Sequence, residues 1–163
     1  MAAETCFEDF YFKPLSSFSA PERQKILQDV KRIEKKVFPH SETFDFDSEL
    51  KKKNTILVVA VRKCQPLDVV AYLVSQRIRK IAWLHKICVI ESERRKGLAK
   101  EMIQSLCTEL KRGGCQNIHL WVDEARNPAR SLYESCNFRE IDRYADYYGP
   151  GRTALKMELT ING

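Results

Sequence analysis

No apolar run in this 163-residue chain approaches the roughly 18 to 20 residues of a membrane span, so no helical span is expected. No two of the six cysteines (Cys6, Cys64, Cys88, Cys107, Cys115, Cys136) stand in a CxxC spacing. That argues against a zinc site and against a disulfide framework, and leaves small core residues or idle thiols in a reducing compartment. Histidine is scarce, with His40, His85 and His119 the only three. There is no internal repeat, low-complexity tract or Gly/Ser linker, and the length suits one compact domain spanning residues 1–163. The opening MAAETCFEDFYF carries acids and aromatics early, unlike a secretory or mitochondrial leader. A cytoplasmic protein is expected, with the nucleus also compatible.

What the chain does have is positive charge. A net charge of +6 and a pI near 9.0 favour an anionic partner: nucleic acid, acidic peptide or a phosphorylated cofactor. The basic runs Lys35–Lys36, Lys51–Lys53 and Arg94–Lys96 are interspersed with acids and lack an aromatic binding platform, which argues against nucleic acid.

Hydrophobic periodicity places the elements. A helix begins near Pro21, with Ile26, Val30, Ile33 and Val37 on one face, and ends before Pro39. The polar stretch HSETFDFDSELKKKN holds at most a short second helix. TILVVAVRK (55–63) and DVVAYLVSQ (68–76), separated by the turn-like CQPL, read as a hairpin. IAWLHKICVI (81–90) is a third extended run. From Leu98 the apolar residues Leu98, Met102, Leu106 and Leu110 repeat every four, and Gly113-Gly114 stops the helix. NIHLWVD (117–123) is a further strand. Asn127-Pro128 reads as an N-cap with proline at the first helical position, opening a helix through Cys136. NFREIDRY and TALKMEL, joined by YYGPGR, close the chain as a hairpin. The pattern is that of an α/β domain with a largely antiparallel sheet.

Between the third strand and the long helix stands ESERRKGLAKEM (91–102). The first N–H groups of a helix lack internal partners and carry partial positive charge, so an anion placed there is stabilised. Gly97 removes the Cβ that would block a close approach, and Ala99 is nearly as small. Arg94-x-x-Gly97-x-Ala99 after a strand resembles the Q/R-x-x-G-x-G/A signature of the GNAT superfamily of acetyl-CoA-dependent N-acyltransferases. The later run from Ala129 through Leu132, Tyr133, Asn137 and Phe138 resembles that family's second signature, with Asn137 in place of the usual glycine. Asn enters left-handed geometry more readily than most residues.

The resemblance covers about Glu22 to Leu159. It implies a GNAT fold: a mixed, mostly antiparallel six- to seven-stranded sheet, splayed between the family's fourth and fifth strands, with about four helices. It also implies acetyl-CoA as cofactor. The residues matching the family's cofactor site are Ile87, Cys88 and Val89, then Arg94, Arg95, Lys96, Gly97, Leu98, Ala99 and Lys100, and finally Arg126 and Asn127. The main chain of Ile87 to Val89 would face the thioester, with Val89 N–H nearest the carbonyl. Closer resemblance lies with the protein Nα-acetyltransferase branch, through Val37-Phe38-Pro39 and through Tyr147-Tyr148 spaced to Gly151, Ala154 and Met157. In that branch the two elements flank the groove for a substrate's amino terminus, which makes Phe38, Pro39, Trp83, Trp121, Tyr147 and Tyr148 the substrate set. The resemblance implies no metal and no membrane, and leaves room for an auxiliary subunit.

The departures bear on the chemistry. The branch commonly has Asn where this chain has Arg126, with Asn127 one step later. Relatives that use Tyr on the fourth strand and His on the fifth have their counterparts here in Trp83 and Trp121, and a Glu used by others is matched by His40. The catalytic candidates are therefore Tyr133, as acid to the leaving thiolate, and His85 or His40 as base. A free α-amine has a pKa near 7.7 to 8, so roughly a tenth is neutral at neutral pH, against about one part in a thousand for a lysine amine. A site with tryptophan at both usual base positions suits the α-amine of a protein or peptide. A lysine side chain or a small amine is the alternative acceptor, and an inactive acyl-CoA-binding protein a third reading.

Overall fold

The computed structural model describes residues 5–7, 9–63 and 67–161, the first three for their backbone alone. The Cys6 thiol, Cys64 and most of the turn predicted at CQPL lie outside the described residues. Eight strands follow the order β1-β2-β3-β4-β5-β6-β8-β7. They are β1 (Thr5–Phe7), β2 (Phe10–Pro14), β3 (Thr55–Arg62), β4 (Val69–Ile78), β5 (Ile81–Val89), β6 (Asn117–Asp123), β7 (Arg139–Gly149) and β8 (Arg152–Thr160). The helices are α1 (Ala20–Val37), α2 (Phe46–Glu49), α3 (Leu98–Arg112) and α4 (Asn127–Ser135). The family's fourth and fifth strands are thus β5 and β6 here. The N-terminal β1, three residues long, brings the count to eight. No helix among the described residues is long and apolar enough to cross a membrane.

The chain divides into two compact units, Met1–Gln76 with Lys86–Met102 and Arg77–His85 with Ile103–Gly163. In the first, β1 to β4 form an antiparallel meander. The backbone of Ile90 returns to Val70 with an N–H···O bond of 2.9 Å. Every residue of β4 from Val69 to Ser75 is buried, as befits a strand covered on both faces. Helix α1 opens on a capping box, in which Ser19 and Glu22 satisfy each other's backbone N–H groups. Its Ile26 and Val30 enter a core with Phe18, Phe38, Phe46, Val59, Tyr72 and Val74. Burying each such aliphatic side chain stabilises the fold by about 1.5–3 kcal/mol.

The most buried residue in the last turns of α1 is a carboxylate. Glu34 is 2% exposed, whereas Ile33 and Val37, expected on the apolar face, are only half-buried. Glu34 Oε1 accepts the Tyr72 hydroxyl of β4 in a short hydrogen bond. Its Oε2 pairs with Lys86 Nζ of β5 at 3.0 Å and accepts the Phe44 N–H at 2.8 Å. Lys86 also donates to the Glu42 carbonyl at 3.3 Å, and its ammonium stands 3.4 Å from the centre of the Phe38 ring. The loop after α1 is therefore fixed by charge.

In the second unit β5 and β6 are parallel and pair only over Ile81–Trp83 against Asn117–His119. The short register is the expression of the predicted splay. β6 runs antiparallel to β8 from Asn117↔Thr160 to Asp123↔Ala154, and β8 to β7. Ile118, Leu120 and Val122 with Leu155 and Met157 make one buried apolar face, and His119, Trp121, Lys156 and Glu158 lie on the other. Asn137 closes α4 with φ 73°, the left-handed geometry expected of it. The start of α4 is a correction. Arg126 stands at the cap, Asn127 is the first helical residue, and no side chain caps the helix. The turn is made instead by Asp123, whose Oδ1 accepts the Ala125 N–H at 2.9 Å and whose carbonyl accepts the Arg126 N–H at 3.0 Å.

The Glu34 network is open to test. Glu34→Ala leaves Lys86 and Tyr72 buried without their partner, and is expected to cost about 3–5 kcal/mol in urea unfolding. The double variant Glu34→Leu/Lys86→Met should recover part of that loss. A single variant with an unchanged unfolding midpoint would show that the pair holds nothing.

Candidate active site

The loop ahead of α3 is built to face an anion. The Glu101 N–H bonds to the Gly97 carbonyl at 3.0 Å, so the N–H groups of Leu98, Ala99 and Lys100 precede the helical ladder. Arg95 (φ 64°) and Gly97 (φ 83°) take left-handed backbone, and a Cβ built on Gly97 meets nothing within 4 Å. The space there is open to a ligand, and a substitution is strained by conformation rather than by crowding.

Two neighbours brace this loop. Arg94 donates its Nε–H back to the Val89 carbonyl at 2.9 Å. Buried Glu93 holds Lys96 Nζ at 3.0 Å and Arg62 at 2.8 Å. The Lys96 ammonium is thus tied to its own loop, while Arg95 carries an exposed guanidinium. At the end of β5 the Cys88 thiol is buried toward Tyr72, and burial together with Glu34 raises its pKa. Only the main chain of Cys88, with that of Ile87 and Val89, remains for a ligand.

In the same unit Phe38 and His40 border an open groove of about 630 Å³, shared with Lys31, Lys35 and Phe44. His40 is exposed, and its carbonyl accepts the Thr43 hydroxyl at 2.9 Å.

In the second unit lie Trp83, Trp121, Tyr147 and Tyr148, four of the residues that the resemblance assigns to the acceptor. Trp121 stacks on Tyr147 with ring centres 5.4 Å apart and planes at 11°, and meets Tyr144 edge to face at 5.4 Å. Tyr147 meets Tyr148 at 5.0 Å. Trp83 meets His119 edge to face at 5.2 Å, and Lys156 Nζ lies 5.3 Å from the Trp83 ring centre. His85, two residues on from Trp83, is exposed.

The buried histidine is His119, which the sequence reading left out of its catalytic set. Its Nε2 stands 2.7 Å from Glu158 Oε2, and its buried Nδ1 has no hydrogen-bond partner among the described residues. The Tyr147–Tyr148 hairpin is secured by a second unpredicted pair. Both Nε and Nη2 of Arg152 reach Asp123 Oδ2, at 3.0 and 2.9 Å, while the guanidinium lies 5.4 Å from the Tyr148 ring centre. A charge pair split between residues 123 and 152 has no periodic signature.

Tyr133, on α4, packs edge to face on Phe138 with ring centres 5.8 Å apart, and its hydroxyl makes no hydrogen bond to the described residues. Burial pushes its pKa up to about 12, against a lowering influence from Arg126. The Tyr148 phenol is likewise raised to about 12, first by burial and then by Tyr147 and Asp123. A phenol near that value is fully protonated at neutral pH. It gives its proton to a thiolate of ordinary pKa near 8.5 only uphill, by about three and a half units. Arg126 and Asn127 are both exposed at the start of α4, with Arg126 close enough to act on Tyr133 electrostatically.

The sequence model of the acetyltransferase (GNAT) family matches residues 23–138, more than half of the chain. The chain belongs to this family. It is 33% identical over 72 residues to an N-alpha-acetyltransferase of Saccharolobus solfataricus, covering 44% of this chain and 43% of that one. It is 31% identical over 81 residues to a [ribosomal protein bS18]-alanine N-acetyltransferase of Haemophilus influenzae, covering 50% and 55%. The matched stretch thus spans about half the length of these curated relatives. Among solved structures, Arabidopsis thaliana NAA60 in complex with acetyl-CoA shares the fold with a TM-score of 0.77 at 18% identity, covering 94% of this chain and 99% of that one.

Three carboxylates around these loops titrate below their unfolded values of 4.5 (Glu) and 3.8 (Asp): Glu93 through Lys96 and Arg62, Asp123 through the Ala125 N–H and Arg152, and Glu158 through His119. A carboxylate with a depressed folded pKa adds stability that is complete above its unfolded pKa and is lost as pH falls through the folded one. The melting temperature is therefore expected to hold from about pH 7 to about pH 5 and to drop below about pH 4.5. Asp123→Asn should lower it at neutral pH and flatten the acid drop. An acid limb as steep in the variant as in the parent would exclude Asp123 as a contributor.

Proposed function

We propose that this GNAT-family chain transfers the acetyl group of acetyl-CoA to an amine, and that the amine is the α-amino terminus of a protein or peptide. The observation that carries the acceptor choice is the pair Trp83 and Trp121, which share one sheet face at the two positions where relatives place a base. An α-amine needs little help to lose its proton, whereas a lysine amine needs several pKa units of it. The relative named an N-alpha-acetyltransferase and those named ribosomal-protein-alanine N-acetyltransferases support the same choice.

The residues take the following parts in this reading. The amides opening α3, from Leu98 to Lys100, with exposed Arg95, hold the pyrophosphate, for which the open approach at Gly97 is a fitting cradle. Acetyl-CoA supplies the activated thioester. The main-chain N–H of Val89 steadies negative charge on the carbonyl oxygen as the amine nitrogen bonds to carbon. Tyr133 delivers its proton to the sulfur as the C–S bond breaks, and the proton shed by the attacking nitrogen passes to solvent, from which the phenolate is protonated again. Since the transfer to sulfur is uphill for a phenol near 12, its position and the Arg126 charge must carry the step. Tyr147-Tyr148 in the second unit receives the acceptor's first residues in this reading, and Phe38-Pro39 is the element of the first unit that the resemblance assigns to the same role. The thiols Cys88, Cys107, Cys115 and Cys136 form no disulfide among the described residues, which suits the reducing interior of a cell, cytoplasm or nucleus alike.

The test follows CoA release with two peptides of one sequence, one with a free α-amine and a blocked lysine, the other with the reverse. Faster turnover of the free α-amine is expected, and equal or faster use of the lysine would replace the acceptor. Gly97→Val, forced into left-handed backbone, is expected to weaken acetyl-CoA binding in calorimetry while the protein remains folded. Tyr133→Phe keeps the ring packing and should lower kcat tenfold or more, about 1.4 kcal/mol in the barrier, with little change in cofactor affinity. Full activity in that variant would leave positioning as the catalytic device.

A further inference from the structure

Register on the second unit's sheet sets Trp121 opposite Lys156 and His119 opposite Glu158. The Lys156 ammonium lies 5.3 Å from the Trp83 ring centre and 5.9 Å from that of Trp121, so it rests on both indoles of the chain. The charges around it are already engaged. Glu158 takes His119 at 2.7 Å and Arg139 at 3.5 Å, and Asp123 takes Arg152 at 2.9 Å. Arg143 is held by Glu140 at 2.8 Å and Glu124 at 3.5 Å. Asp142, the register partner of Lys156 on β7, accepts the N–H of Arg143 at 2.9 Å through Oδ1. Lys156 forms no ion pair with any carboxylate among the described residues.

The ammonium of a half-buried lysine lying near two aromatic faces still has donors to offer, and a carboxylate is the ligand that takes them best. The Trp121 ring that Lys156 approaches is also the one on which Tyr147 stacks, and Tyr144 and Tyr147 beside it are 52% and 56% exposed. An acceptor held by Tyr147 would thus bring its first side chains to this cation. Resting on the α-amine reading above, we infer that Lys156 is a carboxylate-binding subsite, and that the acceptors preferred by this enzyme carry Asp or Glu in their first two residues. The net charge of +6 steers such peptides toward the protein in the same sense.

Matched peptides that differ only as Glu or Gln, or Asp or Asn, in the first two positions test the subsite. The wild type is expected to use the acidic member at least tenfold better in kcat/KM, less so at high salt. Lys156→Met, which keeps an unbranched apolar stem, should erase that preference while amide peptides react at nearly the parental rate. Lys156→Glu should favour a lysine at the same position. Because the chain's only tryptophans line the subsite, titrating acidic peptide against indole fluorescence reads binding separately from turnover. Equal rates on acid and amide peptides, or an acid preference surviving in Lys156→Met, would overturn the inference while leaving the α-amine reading standing. A protein that acetylates no peptide α-amine would overturn both.

Discussion

Three groups that meet at Glu34 set the shape of the first unit: a hydroxyl from β4, an ammonium from β5 and an amide N–H from the loop after α1. An apolar side chain at the same place would fill space but could not select these partners. A carboxylate accepts several donors at once, and inside the protein each bond is stronger than in water. Lys86, held this way, becomes the platform for Phe38 and the anchor for the Glu42 carbonyl. The turn assigned to the acceptor is therefore shaped from below by a charge pair. The same surroundings keep the Cys88 thiol protonated and inert, which suits a residue whose backbone alone is offered to a ligand.

Glu93 repeats the device under the other loop. It is 5% exposed, and it ties Arg62 of β3 and Lys96 of the anion-facing loop to one point. A chain with an excess of bases thus uses its buried acids as brackets, and leaves Arg95 facing outward at the mouth of α3. Asp123 does the same for the second unit, gathering Arg152 and the turn into α4.

Most elements were legible because their signals are local. The four-residue repeat from Leu98, the alternation in TALKMEL and the β-branched runs at 55–63 and 68–76 all became the expected helix and strands. Asn137 took the left-handed backbone foreseen for it, since that requirement belongs to one residue. The brackets were not legible. Glu34 interrupts an apolar stripe and reads as a solvent position until Tyr72, 38 residues away, is brought over it. His119 and Glu158, 39 residues apart, meet only through strand register. Strands β1 and β2 were missed because a short aromatic run with Pro14 at its end has no clear alternation, and β2 gains its identity from pairing with β3.

Among the described residues β7 has a strand neighbour on one side only, β8, which makes it an edge strand. It is exposed from Arg139 to Tyr147 and studded with Arg139, Glu140, Asp142 and Arg143, and its register shifts between Glu140 and Asp142. Charges and an irregular register are what discourage a second strand from adding to such an edge. The tendency of two copies to zipper together is therefore countered on the strand that also carries Tyr144, Tyr147 and Tyr148: resistance to self-association and the exposed aromatic cluster share one hairpin.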